Sequence, residues 1–97
     1  MMLVVVAYDV NTESAEGRRR LRRVARVCKD NGQRVQKSVF ECWVDHAQWV
    51  QLRRRLVGEI RTDQDSLRFY FLGDAWKGRI EHVGAQPSYD PEGPLIL

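Results

Sequence analysis

Leu3-Val4-Val5-Val6-Ala7-Tyr8-Asp9 is the stretch that decides the fold. An apolar, largely β-branched run of this length that ends in polar residues is typical of a strand buried on both faces. We therefore predict a central strand here. Asp9 lies where this strand leaves the core, so a rigid element holds its carboxylate while water still reaches it, which suits a metal ligand or a general base. The alternative is that Asp9 only opens the turn Asp9-Val10-Asn11-Thr12.

Length and composition indicate one small globular domain. The chain has 97 residues, 43% of them hydrophobic, and a chain of this size buries only roughly 60 to 70% of its unfolded surface, so a dimer would stabilise it. No run approaches the ~20 apolar residues of a membrane span, and the start lacks a signal-peptide pattern. We expect a cytoplasmic protein without a membrane partner. Cys28 and Cys42 then fit as small buried residues.

Positive charge is concentrated in one part of the chain. The net charge is +3, and nine of the 16 basic residues lie between Arg18 and Lys37, with Asp30 the only acid among them. A cluster of one sign costs self-repulsion unless an anion relieves it. This distribution indicates a partner such as nucleic acid or, alternatively, a solvated surface.

A helix should follow the first strand, starting between Ser14 and Arg18 and ending at Asn31, where Gly32 accepts the left-handed conformation. Its apolar stripe would combine residues three and four apart, namely Leu21, Val24, Ala25 and Cys28. The opposite face would carry arginines that match phosphate oxygens, namely Arg19, Arg22, Arg23 and Arg26, with Arg18 and Arg20 beside them at the helix start. The alternative is an arginine face that is only solvated.

The rest of the chain continues the alternation of strands and helices. Residues 33–44 change phase near Lys37-Ser38, which predicts two strand segments. Asp45 caps a second helix that runs to about Arg61, and strands follow at 67–72 and 79–83. The order predicts an α+β fold, a ferredoxin-like βαββαβ domain over residues 1–84. A tail over 85–97 would end in an additional short strand, made of Leu95, Ile96 and Leu97, that docks on its own sheet or on another subunit.

Several of these features together resemble one known family. Tyr8-Asp9 at the end of the first strand, the basic helix, Gly32 and the run Arg34-Val35-Gln36-Lys37-Ser38-Val39-Phe40-Glu41 are similar to the small CRISPR-associated protein that partners the spacer integrase. That family is also known as the CRISPR-associated endoribonuclease two family. The similarity is close over residues 3–44 and extends along the chain in length and element order.

The resemblance implies a homodimer in which the two Asp9 carboxylates face each other and hold one shared Mg²⁺. It implies a metal-dependent endonuclease acting on phosphodiester bonds of RNA or DNA. It also implies a role in CRISPR adaptation, the spacer acquisition step of antiviral defence, in which the dimer bridges integrase subunits. The residues carried over are Tyr8 and Asp9 for catalysis, Arg18, Arg20 and Arg34 for phosphate, and Phe40 for the dimer seam, to which the tail Leu95, Ile96 and Leu97 would add. For Tyr8 and Phe40 the alternative is core packing.

Two other functions compete with the enzyme. One is a non-catalytic DNA-binding scaffold of the integration complex, in which Asp9 is a turn or seam residue. The other is an unrelated ferredoxin-like RNA-binding module, since fold alone does not define function. Such a module would need exposed aromatic side chains on the central strand, and Leu3 to Ala7 has none, which argues against it.

Overall fold

The computed structural model describes residues 1–72 and 79–85. They form a single five-stranded sheet in the order β2-β3-β1-β4-β5, with every neighbouring pair antiparallel and β1 in the centre. This arrangement confirms the predicted α+β, ferredoxin-like βαββαβ order, extended by one strand at the edge. The elements are β1 (Met2–Asp9), α1 (Ala15–Asn31), β2 (Gln33–Gln36), β3 (Val39–Val44), α2 (His46–Glu59), β4 (Ser66–Leu72) and β5 (Arg79–Gly84).

The two faces of the sheet differ in what covers them. Side chains of Val4, Val6 and Tyr8 point from β1 into the core that both helices share, because successive strand residues alternate between faces. The face on the other side, here called the open face, carries Leu3, Val5 and Ala7, which are only half-buried. The prediction that the central strand is buried on both faces is therefore wrong for the single chain.

The core lies between the sheet and the helices. Trp49 of α2 places its ring edge-on against both Phe69 and Phe71, with ring centroids 4.9 Å apart in each case. Offset and edge-on aromatic pairs of this kind stabilise a core beyond the area they bury. Other buried side chains come from β3, β4 and both helices, and include Phe40, Cys42, Val44, Leu67, Val24, Val27, Cys28, Leu52 and Leu56.

Phe40 belongs to this core and not to an exposed surface. Its side chain is 0% exposed, because Phe40 pairs with Val6 in the β1–β3 ladder and so shares the helix-side face with it. In the single chain Phe40 therefore packs in the core, which was the alternative to a place near the dimer seam, and that place stays a prediction. The other expected seam residues, Leu95, Ile96 and Leu97, lie outside the described residues, as does the tail that they end.

Local signals set the ends of the helices. The Ser14 hydroxyl caps α1 by accepting a hydrogen bond from the Gly17 amide at 3.0 Å. Asp45 caps α2 in the predicted capping box, since its carboxylate accepts from the Gln48 amide at 2.7 Å while the Gln48 side chain accepts from the Asp45 amide at 2.8 Å. The two strand segments predicted to meet at Lys37-Ser38 are β2 and β3.

Gly32 ends α1 for a different reason from the one expected. Its φ of −166° is extended backbone, so the left-handed conformation predicted for it is wrong. A Cβ atom at this position would overlap the Glu41 carbonyl oxygen and crowd the Cys42 sulfur. Glycine is needed here because the start of β2 passes very close to β3.

Candidate functional site

Asp9 is the last residue of β1, and its exposed side chain lies on the open face by strand alternation. Its ladder partner is Ser66, the first residue of β4. Within residues 1–72 and 79–85, no group of three or more His, Cys, Asp or Glu side chains comes together that could hold a metal ion. Mg²⁺ takes one or two protein carboxylates and fills its other positions with water and phosphate oxygens. An exposed Asp9 fits that chemistry only if a second chain or a nucleic acid supplies further oxygens.

Tyr8 does not share a surface with Asp9. Its side chain is 5% exposed on the helix side of the sheet, and its hydroxyl donates a hydrogen bond to the Lys37 carbonyl oxygen at 3.2 Å. Its ring lies 6.2 Å from the ring of Phe40, and burial raises the pKa of the Tyr8 phenol. The structure gives Tyr8 a packing role at the β2–β3 turn and does not bring its hydroxyl to the Asp9 face.

A second carboxylate, which no motif in the sequence singles out, lies directly beside this strand end. Asp65 is 0% exposed and accepts two hydrogen bonds from Arg20, through Nε at 2.8 Å and Nη2 at 3.3 Å. It also accepts from the backbone amides of Asn11 and Arg61, each at 2.9 Å. Burial alone would raise the pKa of Asp65, but the bonds from Arg20 and the two amides outweigh it and hold the pKa below its usual value.

The structure does not place Arg20 for the phosphate contact expected of it. Its side chain is only 7% exposed and is committed to Asp65. Arg20 lies on the buried face of α1, three residues after Gly17 and four before Val24, both of which are buried. The actual stripe is rotated from the predicted one, since Leu21 and Ala25 are only partly buried. The spacing of Arg20 from Val24 was the one local signal that could have indicated its burial.

The remaining arginines of α1 are exposed and form the arginine surface, defined as Arg18, Arg19, Arg22, Arg23 and Arg26. Arg18 donates to the Thr12 carbonyl oxygen at 3.1 Å, and Arg23 pairs with Glu59 at 3.1 Å. The structure therefore brings together five of the six arginines predicted to contact phosphate from this helix. Because α1 covers the helix side of the sheet, this surface and the Asp9 carboxylate lie on opposite sides of it.

Arg34, the other predicted phosphate contact, is exposed on β2. Its guanidinium carbon lies 5.0 Å from the centroid of the Phe40 ring, a cation–π distance. Arg34 thus covers the end of the core at Phe40 while its charge stays accessible to water.

The open face has a polar region beside Asp9. Ser66, Arg68 and His82 lie on it, because Asp9 pairs with Ser66, Ala7 with Arg68, and Arg68 with His82. Arg68 Nη2 lies 3.3 Å from His82 Nδ1, and His82 Nε2 lies 2.6 Å from the Ala85 carbonyl oxygen. Since arginine only donates, His82 accepts at Nδ1 and donates from Nε2.

Further from Asp9 the open face carries several large, exposed apolar side chains, together with the exposed Glu41, which pairs with Val5. Trp43 is 62% exposed, Leu72 44% and Ile80 40%, and Leu3 pairs with both Trp43 and Leu72 across the sheet. Large apolar side chains gathered on one face are typical of an interaction surface.

These features define a class: a small ferredoxin-like domain with a basic first helix and a strand-end carboxylate on the sheet face opposite the helices. The family model described as CRISPR associated protein Cas2 matches residues 2–80, and the chain belongs to the CRISPR-associated Cas2 family. The family resemblance stated from the sequence is confirmed.

Relatives match along almost the whole chain. The chain is 64% identical to a CRISPR-associated endoribonuclease Cas2 of Chlorobaculum tepidum, over 99% of this chain and 100% of the relative. It is 60% identical to a protein of the same description from Nitratidesulfovibrio vulgaris, over 99% of this chain and 94% of the relative. The crystal structure of Streptococcus pyogenes Cas2 at pH 6.5 superposes with a TM-score of 0.70 at 56% identity, covering 77% of this chain and 90% of that one. Neither helix among the described residues is long and apolar enough to cross a membrane.

Proposed function

We propose that the protein acts as a homodimer in CRISPR adaptation, where it binds nucleic-acid phosphates, bridges integrase subunits and carries a Mg²⁺-dependent phosphodiesterase site formed by Asp9 of both chains. The observation that carries this proposal is the position of Asp9 as an exposed carboxylate on the sheet face that neither α1 nor α2 covers. Relatives described as endoribonucleases or as an endonuclease support the reaction class.

The dimer is supported by the apolar side chains that the described residues leave exposed on the open face. A strand as uniformly apolar as β1 is typical of sheets covered on both faces, yet Leu3 and Val5 are half-buried and Trp43 is exposed. A second copy of the same face would cover these side chains by sheet-on-sheet packing. A two-fold interface joins the same patch on each subunit, so it would also bring the two Asp9 carboxylates towards each other.

The two carboxylates supply what one chain does not. Asp9 of each subunit would hold Mg²⁺ between them and leave its other positions to water and phosphate oxygens. The ion would neutralise charge on the scissile phosphate and lower the pKa of a bound water. Asp9 needs no proton transfer of its own for this role, since it acts by its charge and position at the end of a strand paired on both sides.

A second function, a non-catalytic scaffold, is favoured by one specific observation. The arginine surface lies on α1, on the opposite side of the sheet from the open face that carries Asp9. Phosphates bound by these arginines are therefore held away from the carboxylate of the same chain. Binding and cleavage are then separable, and a dimer that has lost cleavage can still hold nucleic acid for its integrase.

The replacement Asp9→Asn separates the two functions, because it keeps the size of the side chain and removes the charge that a hard cation needs. We expect the variant to fold, to dimerise and to bind duplex DNA like the parent while Mg²⁺-dependent cleavage falls by orders of magnitude. Spacer integration with its integrase should persist if the scaffold role dominates.

The matched control is Asp30→Asn, which removes an exposed carboxylate on α1 that pairs loosely with Arg55 at 3.5 Å. This variant should cleave at the parental rate. Cleavage by Asp9→Asn at the parental rate would refute the catalytic assignment.

A further inference from the structure

We propose that the buried Arg20–Asp65 ion pair is a positioning pair for Asp9, through which Arg20 controls metal binding and cleavage without touching nucleic acid. This inference rests on the proposed function of Asp9. It gives a reason for a buried charge on a helix whose other arginines are exposed.

The backbone at Asp9 and just after it is tied to the segment Asp65-Ser66. Asp9 itself pairs with Ser66 at the end of the β1–β4 ladder. Two residues further along the chain, the Asn11 amide donates to Asp65 Oδ1 at 2.9 Å. The exit of β1 is therefore held at both ends of a three-residue span, and Asp65 provides one of those two anchors directly.

Asp65 in turn is anchored by several elements. Its Oδ2 accepts from Arg20 Nε at 2.8 Å and from the Arg61 amide at 2.9 Å, and its carbonyl oxygen accepts from the Ala85 amide at 2.9 Å. Gly84, with φ of +110°, passes so close that a Cβ atom there would overlap that carbonyl oxygen. Asp65 thus joins the exit of β1 to α1, to the end of α2 and to the end of β5.

The Asp65 carboxylate is the acceptor for two backbone amides as well as for the Arg20 side chain. No buried side-chain nitrogen or oxygen among the described residues lacks a partner. An apolar residue in place of Asp65 would leave the Asn11 and Arg61 amides without their acceptor, and a buried carboxylate without Arg20 would lose its charge partner. The pair therefore has a specific task, which is to hold the β1 exit in one place.

The exact position of Asp9 is especially important for metal binding if two symmetry-related copies of it share one ion. Catalytic groups need placement to within about 0.5 Å. In a two-fold dimer the second Asp9 repeats every displacement of the first, so the gap between the carboxylates changes by up to twice the movement of either. A loosened β1 exit should therefore weaken metal binding before it unfolds the chain.

The test uses the intact dimer with Mn²⁺ as the probe, followed by water-proton relaxation, and the variants Arg20→Gln and Asp65→Asn. We expect Mn²⁺ to bind about tenfold or more weakly in both, a factor of ten being the usual effect of losing a residue that orients a metal ligand. Arg20→Lys keeps the charge on a single donor nitrogen, so its Mn²⁺ affinity should lie between those of the parent and Arg20→Gln. This variant keeps the test usable if a harsher variant does not fold. Leu52→Val, a core change on α2, serves as a destabilised control and should bind Mn²⁺ like the parent.

A second measurement separates positioning from phosphate contact. The salt dependence of duplex binding should be the same for Arg20→Gln as for the parent, whereas each lost phosphate contact lowers the slope by about 0.9. Parental Mn²⁺ affinity in Arg20→Gln and Asp65→Asn, an equal loss in Leu52→Val, or a lower salt slope in Arg20→Gln would each overturn the inference. Parental Mn²⁺ affinity in Asp9→Asn would overturn the proposed metal site, and the inference with it.

Discussion

Phe40 offers a sharp test of which sheet face is core and which is interface. Its side chain is 0% exposed and packs near Tyr8 and beneath Arg34. Truncation of a buried phenylalanine to alanine costs about 3–5 kcal/mol, a large part of the ~5–15 kcal/mol that stabilises a typical domain. At about 4–8 °C per kcal/mol for a chain of this size, Phe40→Ala should lower Tm by roughly 12 °C or more.

Trp43 is the matched position on the open face. It pairs with Leu3 in the β1–β3 ladder and is 62% exposed. Trp43→Ala should change the stability of the single chain little and weaken the dimer. The assay is thermal unfolding by circular dichroism at several protein concentrations, with mass by light scattering, because dimer dissociation makes Tm depend on concentration. Phe40→Leu, which keeps more of the buried volume, should lose less than Phe40→Ala. A Tm change below ~2 °C in Phe40→Ala together with a weaker dimer would show that Phe40 lies at the seam after all.

Two further predictions concern the arginine surface and the thiols. Duplex binding should weaken steeply with salt, and Arg22→Ala combined with Arg26→Ala should lower the slope of log K against log salt by about 1.8; an unchanged slope would show that this surface is only solvated. Burial raises the pKa of Cys28 to about 12 and that of Cys42 to about 11, so both thiols should resist alkylation at pH 8 in the native protein and react in urea. Alkylation of the native protein as fast as in urea would contradict their burial.

The fold was predictable because its signals are local. The phase change at Lys37-Ser38 separates β2 from β3, and Asp45 with Gln48 forms the capping box that opens α2. Gly32 shows where local reasoning fails: the helix end was predicted, but its conformation depends on how closely β3 passes. A contact of that kind is set by packing between strands and leaves no trace in neighbouring residues.

The candidate site was predictable only in part. Asp9 follows from the end of an apolar strand, and the alternation along β1 already places Tyr8 on the same face as Val4 and Val6. Which of the two faces the helices cover was the missing information. Arg20 and Asp65 are 45 residues apart in the sequence, and no local pattern around either residue predicts that they pair. Because α1 contains six arginines, the sequence does not show that Arg20 is the one that faces the core.

The sheet separates two tasks that the family resemblance places in one site. Its helix side carries the core and, on the solvent-facing side of α1, the arginine surface. Its open face carries Asp9 and the exposed apolar side chains. A strand side chain reaches only one face, so Asp9 and the arginine surface of one chain have no direct route to the same phosphate across the sheet. In the proposed dimer, nucleic acid held on the arginine surface would have to pass the edge of the dimer to reach the Asp9 carboxylates, or would remain uncut. Loss of Asp9 and loss of Arg22 with Arg26 should accordingly abolish different activities, cleavage in the first case and salt-dependent binding in the second.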